Sequence, residues 1–174
     1  PSANLDTDGD SQLAIPESLS NTIIKDRGYI IESSDVIYVS VRFRSSLPNQ
    51  YQAGALVSKG LSALGTEFRV GGMATENNNS PGGFLTYTSV MATENDTNIT
   101  FGDFPAGINI INYTGSAPIN VNLNEGESFM IGVESDNGGI PNDLIGSLVS
   151  SDKPIVVNSG SGTGSFASGN GGRD

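Results

Sequence analysis

An all-β, antiparallel fold is predicted for this chain, and three observations predict it. The apolar residues, 36% of the total, fall in short alternating runs and not in stripes at helical spacing. Gly, Asn, Ser and Asp break those runs, and Gly and Asn accept the positive φ that other residues avoid. The predicted strands start mostly 8 to 15 residues apart, the rhythm of a sandwich or barrel. The expected architecture is an antiparallel β-sandwich of about 10 to 12 short strands. A β-propeller-like fragment shares this spacing and is the alternative.

Residues 1–20 are polar and turn-rich around Asp6, Asp8, Gly9 and Asp10, and read as an irregular edge. Strands follow over residues 22–25, 28–32 and 36–44. In the last of these Ile37, Val39, Val41 and Phe43 alternate with Tyr38, Ser40 and Arg42, which assigns one face to a core. Further strands are expected over 53–58, 67–73, 84–93, 98–101, 108–113, 119–123 and 128–134. Residues 58–64, with Gly60 and Gly65 marking their bounds, are the one stretch that suggests a helical turn.

In the segment 144–160 a strand over 145–150 ends at a Ser-Ser-Asp-Lys turn, and Pro154 opens another over 154–158, where its missing N–H is tolerated. From Ser159 to the last residue, 159–174, the chain is a Gly/Ser-rich loop or connector. The pentapeptide Met-Ala-Thr-Glu-Asn occurs at 73–77 and again at 91–95, 18 residues on. Two strand ends entering similar turns explain it; a duplicated β unit is the alternative.

A length of 174 residues suits a single β-rich domain over 1–174, and folding at this size buries roughly 70% of the unfolded chain's surface. The chain opens at Pro1 with no initiator Met or signal-like segment, so an excerpt from something longer is expected. Nineteen acidic against eight basic residues give a net charge of -11, which repels a phosphate backbone and excludes nucleic acid as a partner. No run of 18 apolar residues is present, so direct membrane insertion is not expected. Cys and His are both absent, which removes thiol nucleophiles, thiolate zinc sites and histidine bases together.

Among the candidates for chemistry, Asp6, Asp8 and Asp10 present carboxylates at alternate positions, and Glu17 follows eleven residues after Asp6. Calcium takes six to eight oxygen ligands, and such a loop suits it. Ser11 stands where a calcium loop places Gly, however, and Pro16 blocks an exit helix, so an Asp-Gly turn is the preferred reading and calcium the alternative. The carboxylate pairs Glu32 with Asp35, Glu76 with Glu94, and Glu125 with Glu127 fit a glycosidase only if held about 5 to 9.5 Å apart. Each lies at a predicted strand end, where solvated turns are expected.

Tyr29, Tyr38, Tyr51, Tyr87 and Tyr113 are candidates for stacking on sugars, although core or half-buried positions explain them too and no Trp is present. Sequons begin at Asn78, Asn95, Asn98 and Asn112, a number that an Asn-rich chain produces without selection. Gly71-Gly72 and Gly82-Gly83 lack the strand, loop, helix order of a phosphate cradle. No residue is assigned a catalytic, cofactor-binding or metal-ligating role.

The segment LIGSLVSSDKPIVVNSG at 144–160 resembles a recurring hairpin of the IgGFc-binding protein N-terminal domain family. KDRGYIIESSDVIYVSVR at 25–42, AGALVSKGL at 53–61 with LGTEFRV at 64–70, and VMATEN at 90–95 leading to TFGDF at 100–104 resemble successive blocks of that family's bacterial members. Those members sit in large surface proteins of Bacteroidota. The resemblance implies a non-enzymatic module of a secreted, cell-surface adhesin, commonly exported by type IX secretion and associated with gliding motility. Its implied partners are neighbouring domains of the same long chain, with surface glycans or polysaccharide possible ligands. Binding to immunoglobulin Fc belongs to the mammalian mucus proteins that named the family, and no residue here carries it over. A carbohydrate-binding or carbohydrate-active accessory domain and a purely structural spacer are the alternative functions.

Overall fold

The computed structural model describes residues 17–25, 30–44, 53–72, 85–134 and 144–161. The chain divides into two units, one made of Pro1–Tyr29 with Gly65–Asp174 and the other of Ile30–Leu64. Nine strands are described: β1 (Ile23–Ile24), β2 (Val39–Arg44), β3 (Ala53–Ser58), β4 (Gly65–Arg69), β5 (Leu85–Ala92), β6 (Thr97–Gly102), β7 (Ile119–Leu123), β8 (Ser128–Glu134) and β9 (Leu148–Ser161). Every pairing is antiparallel, so the predicted fold class holds.

In the larger unit seven strands form one sheet in the order β1-β8-β5-β9-β6-β7, with β4 also on β9, and the sheet is nearly closed and barrel-like. Period-two alternation decides which side chains turn inward. In β6 Thr97, Ile99 and Phe101 are buried, and in β7 Ile119 and Leu123. Val90 and Ala92 of β5, Phe129, Ile131 and Val133 of β8, and Val149 and Ile155 of β9 complete the same core. Phe101 and Phe129 meet within it, with ring centroids 5.8 Å apart.

The segment 144–160 differs from its prediction in an informative way. It holds no hairpin, because β9 is one continuous strand of 14 residues. Its first part pairs with β6 through Leu148 to Ser151 and with β4 on the other side, and its second part pairs with β5 from Ile155 onward. Asp152, Lys153 and Pro154 fall in the gap where the strand changes partners, with a register shift opposite in β4. Proline needs no ladder partner at that point, so the strand runs through it without ending. The strand also continues past Ser159 to Ser161, into what the composition marks as a connector.

In the larger unit one other predicted strand is not a strand, and a second is shifted. Over 108–113 only Ile110 bridges to Val133, and Asn112 takes φ 56°. The N–H of Ile108 donates to Pro105 and that of Tyr113 to Ile110, so successive turns carry these apolar side chains onto the core without a ladder. The strand expected over 67–73 starts earlier, as β4, and leaves the sheet after Arg69. Val70 is buried and exchanges backbone hydrogen bonds with Ser147 and Gly146, both 2.9 Å.

In the smaller unit β2 and β3 form a two-stranded ribbon running from the pair Val39 and Ser58 to the pair Arg44 and Ala53. The expected turn of helix is present at Gly60–Ala63 as a 3-10 turn. Ile30, Ile31 and Glu32, predicted as strand, lie outside any ladder, and both isoleucines are exposed. The face expected to be core is half-buried at Val39 and Val41 and exposed at Ile37, and the side chain of Phe43 lies outside the described residues. A two-stranded ribbon supplies no second layer of its own to bury such a face.

Candidate functional site

Two regions of the larger unit gather polar or aromatic side chains. The first is the end where the β5–β6 turn (93–96), the β7–β8 turn (124–127) and the partner change of β9 at 152–154 meet. Asp152, freed from the ladder, accepts from the backbone N–H of Asn98 at 2.8 Å and from its side-chain amide at 2.7 Å. The side-chain amide first and the backbone N–H second hold the Asp152 carboxyl below its ordinary value. Asn122 then donates to Asn98 Oδ1 and Asp96 Oδ1, and Thr100 donates to Asn120 Oδ1, so a polar row crosses β9, β6 and β7.

The turns interlock reciprocally. Asn95 Oδ1 accepts from the Glu125 N–H, and Asn124 Oδ1 accepts from the Asp96 N–H. Thr93 donates to the Pro154 carbonyl, and Lys153 Nζ to the Asn95 carbonyl. Glu127 reaches back to the Asn124 N–H at 2.8 Å and pairs with Lys25 Nζ at 2.8 Å, pinning the exit of β1. The Lys25 hydrogen bond, then the Asn124 N–H, hold its carboxyl below the ordinary value. Chemically this end joins turns to one another: its carboxylates accept bonds from neighbouring turns and strands.

The second region is the outer face of β8, β5 and β9. Cross-strand register sets Tyr87 between Gly132 and Gly160, Ser89 between Met130 and Asn158, and Met91 between Ser128 and Val156. A Cβ on Gly160 would meet Tyr87 Oη at 3.0 Å and Cε1 and Cζ at 3.2 Å, so the tip of the ring lies over the glycine. On the other flank Ile111 Cδ1 lies 3.9 Å from where a Gly132 Cβ would stand. Tyr87 and Ser89 are half-buried and Asn158 is exposed, whereas Met130 and Gly132 of β8 are buried, so the open part of this face lies on β5 and β9; Ser89 Oγ donates to the Asn158 carbonyl at 3.4 Å. These three rows contain no charged residue, although the whole chain carries -11.

The other sequence candidates scatter. Asp6, Asp8, Asp10, Tyr29, Tyr51, Glu76 and Asn78 lie outside the described residues, as does the side chain of Glu17, whose backbone begins the 3-10 turn Glu17–Leu19. Among the described residues no group of three or more Asp or Glu side chains converges as metal ligands would. Glu32 and Asp35 are exposed in the smaller unit, where Asp35 accepts from the Val36 N–H in a turn. An open depression of about 640 Å³ nearby is lined by Ile31, Glu32, Ser33, Ser34 and Leu61.

Glu94 and Glu125 are exposed, as expected of turns, but Glu127 is 8% exposed and ion-paired, which corrects its reading as a solvated partner of Glu125. Its signal in the sequence is the Asn-x-x-Glu spacing, in which the glutamate returns to an N–H three residues back. Tyr38 is exposed, and Tyr113 packs on the core with its hydroxyl donating to the Ser116 carbonyl. Of the sequon asparagines, Asn98 and Asn112 spend their amides on Asp152 and Ser20. What the sequence did not reveal was the pairing of Tyr87 with two glycines, since residues 45 and 73 positions apart meet only through the register.

Among the described residues no helix is long and apolar enough to cross a membrane. An antiparallel scaffold with interlocked turns and an uncharged outer face is that of a β-rich module, and extracellular binding domains are the class it fits. The family described as IgGFc binding protein matches residues 54–174, well over half of the chain, and the chain belongs to that family. Comparisons with curated proteins and with solved structures give no match.

Proposed function

We propose that this chain is a non-enzymatic binding module of a larger secreted, cell-surface adhesin. The observation that carries the reading is the family match over 54–174. The scaffold suits the role, because strands tied together at their turns hold a surface rigid while it makes contact. Attachment to surfaces or gliding motility in a Bacteroidota-type bacterium, with export by type IX secretion, is the finer proposal, and it rests on the sequence blocks at 25–42, 53–70, 90–104 and 144–160. Neighbouring domains of the same chain and surface glycans are the proposed partners.

The test is adhesion of beads coated with the 174-residue chain to bacterial, host-cell and polysaccharide-coated surfaces, against beads coated with an unrelated β domain. Adhesion above the control is expected on at least one surface. Equal adhesion on all of them rejects a binding role and leaves a structural spacer. Release of reducing sugar from any of the polysaccharides rejects the non-enzymatic part in favour of a carbohydrate-active domain.

A further inference from the structure

We propose that the outer face of β5 and β9 binds a neutral hexopyranose unit of a surface glycan, with the Tyr87 ring as its platform and Ser89 and Asn158 bonding its hydroxyls. The inference rests on the reading of the chain as a binding module and specifies the ligand chemistry of one face. A strand tyrosine normally stands among neighbouring side chains. Tyr87 has glycine on both sides in register, and the Gly160 side has space for the ring only because no Cβ is present there. A ring lowered onto the sheet turns a face outward, and the negative potential of that face attracts the polarised C–H groups on the apolar side of a pyranose.

Covering a strand glycine with an aromatic ring is in itself a structural device. Two further features favour a sugar. Ser89 lies two residues along the same strand, about 7 Å from Tyr87, which is the reach of one sugar ring with its hydroxyls. Asn158 stands opposite Ser89 and is exposed, offering an amide donor and acceptor beside the ring. The absence of charge from these three rows, in a chain of net charge -11, selects a neutral glycan over an acidic one.

The test uses the 174-residue chain and four probes, namely gluco-, manno- and galacto-tetraose and an oligogalacturonate of equal length, titrated by calorimetry and by NMR of the tyrosine ring signals. At least one neutral tetraose is expected to bind with a Kd of about 0.1–1 mM, typical of a single shallow stacking site. Tyr87→Ala is expected to weaken it about tenfold and Tyr87→Phe less than about threefold, since the ring face is kept. Asn158→Ala is expected to weaken it about fivefold, and because the residue is exposed this variant stays folded even if Tyr87→Ala does not. Lack of binding by every neutral tetraose, tighter binding of the oligogalacturonate, or full binding by Tyr87→Ala and Asn158→Ala overturns the proposal. Beads that adhere equally well with both substitutions would reject this site and leave the binding-module reading standing; beads that never adhere reject that reading itself.

Discussion

Replacing Ile155 with Ala probes the point on which the sheet turns. Ile155 is fully buried and is the residue of β9 that stands in register with both Ala92 of β5 and Gly65 of β4. Removing a buried Ile side chain to Ala costs about 2–5 kcal/mol, depending on how far the surroundings collapse into the space. Here main chain flanks the site on two sides and resists collapse, which places the cost near 4 kcal/mol. For a chain of this size that lowers the melting temperature by about 8–16 °C.

Val156, the next residue, points to the outer face opposite Met91 and is half-buried, so Val156→Ala should cost only about 1 kcal/mol. Urea unfolding followed by circular dichroism reads both values, with the midpoint shifted and the slope unchanged. A slip of one residue in β9 exchanges its two faces. Equal costs at the two positions, or a greater cost at Val156, would therefore refute the register and the continuity of the strand through Pro154.

Acid should weaken the fold in a defined direction. The carboxyls of Glu127 and Asp152 are held below their ordinary values of 4.5 and 3.8, so their contribution is fully present above those values and is lost as pH falls through the lower folded-state ones. Urea midpoints measured from about pH 7 down to about pH 2 should show Glu127→Gln and Asp152→Asn below the parent at neutral pH and converging with it in acid. Parallel curves at all pH values would contradict this. Gly115→Ala places a Cβ 2.5 Å from Tyr113 Oη and 2.6 Å from Cζ, so the ring tip must shift away from the Ser116 carbonyl, at a cost of about 1 kcal/mol. In a Tyr113→Ala background the same change should cost almost nothing, and equal costs in both backgrounds would show that the contact is not the cause.

The strands that were legible in the sequence are those whose partners share their alternation. The bounds of β3, β7 and β8 follow directly from runs such as Ile119, Val121 and Leu123. The misread segments are those in which tertiary contacts override a local pattern. Ile108 and Ile110 alternate like a strand, yet Asn112 at φ 56° and the turns on either side pass them to the core as a loop. Ser-Ser-Asp-Lys-Pro has every mark of a turn, and nothing nearby in the sequence indicates that the side chain of Asp152 replaces a ladder acceptor for Asn98. The buried state of Glu127 depends on Lys25, 102 positions away. Local chemistry announces a break in hydrogen bonding, but the repair comes from distant residues.

The same distinction separates what identifies the module from what it binds. The segment 144–160 resembles the family because it builds β9, and β9 pairs with β4, β5 and β6 at once. A strand with three partners has few side chains free to vary: Val149 and Ile155 face the core, and Asp152 is committed to Asn98. Its outward positions are different. Asn158 and Gly160 meet β5 on the uncharged face, and neither fills the core that the strand supports. Substitution there changes the surface without breaking a ladder, because ladder bonds come from the backbone. A scaffold of this kind keeps its architecture in the inward residues of β9 and leaves recognition to the outward ones, where Tyr87 lies over Gly160, a position with no Cβ to obstruct its ring.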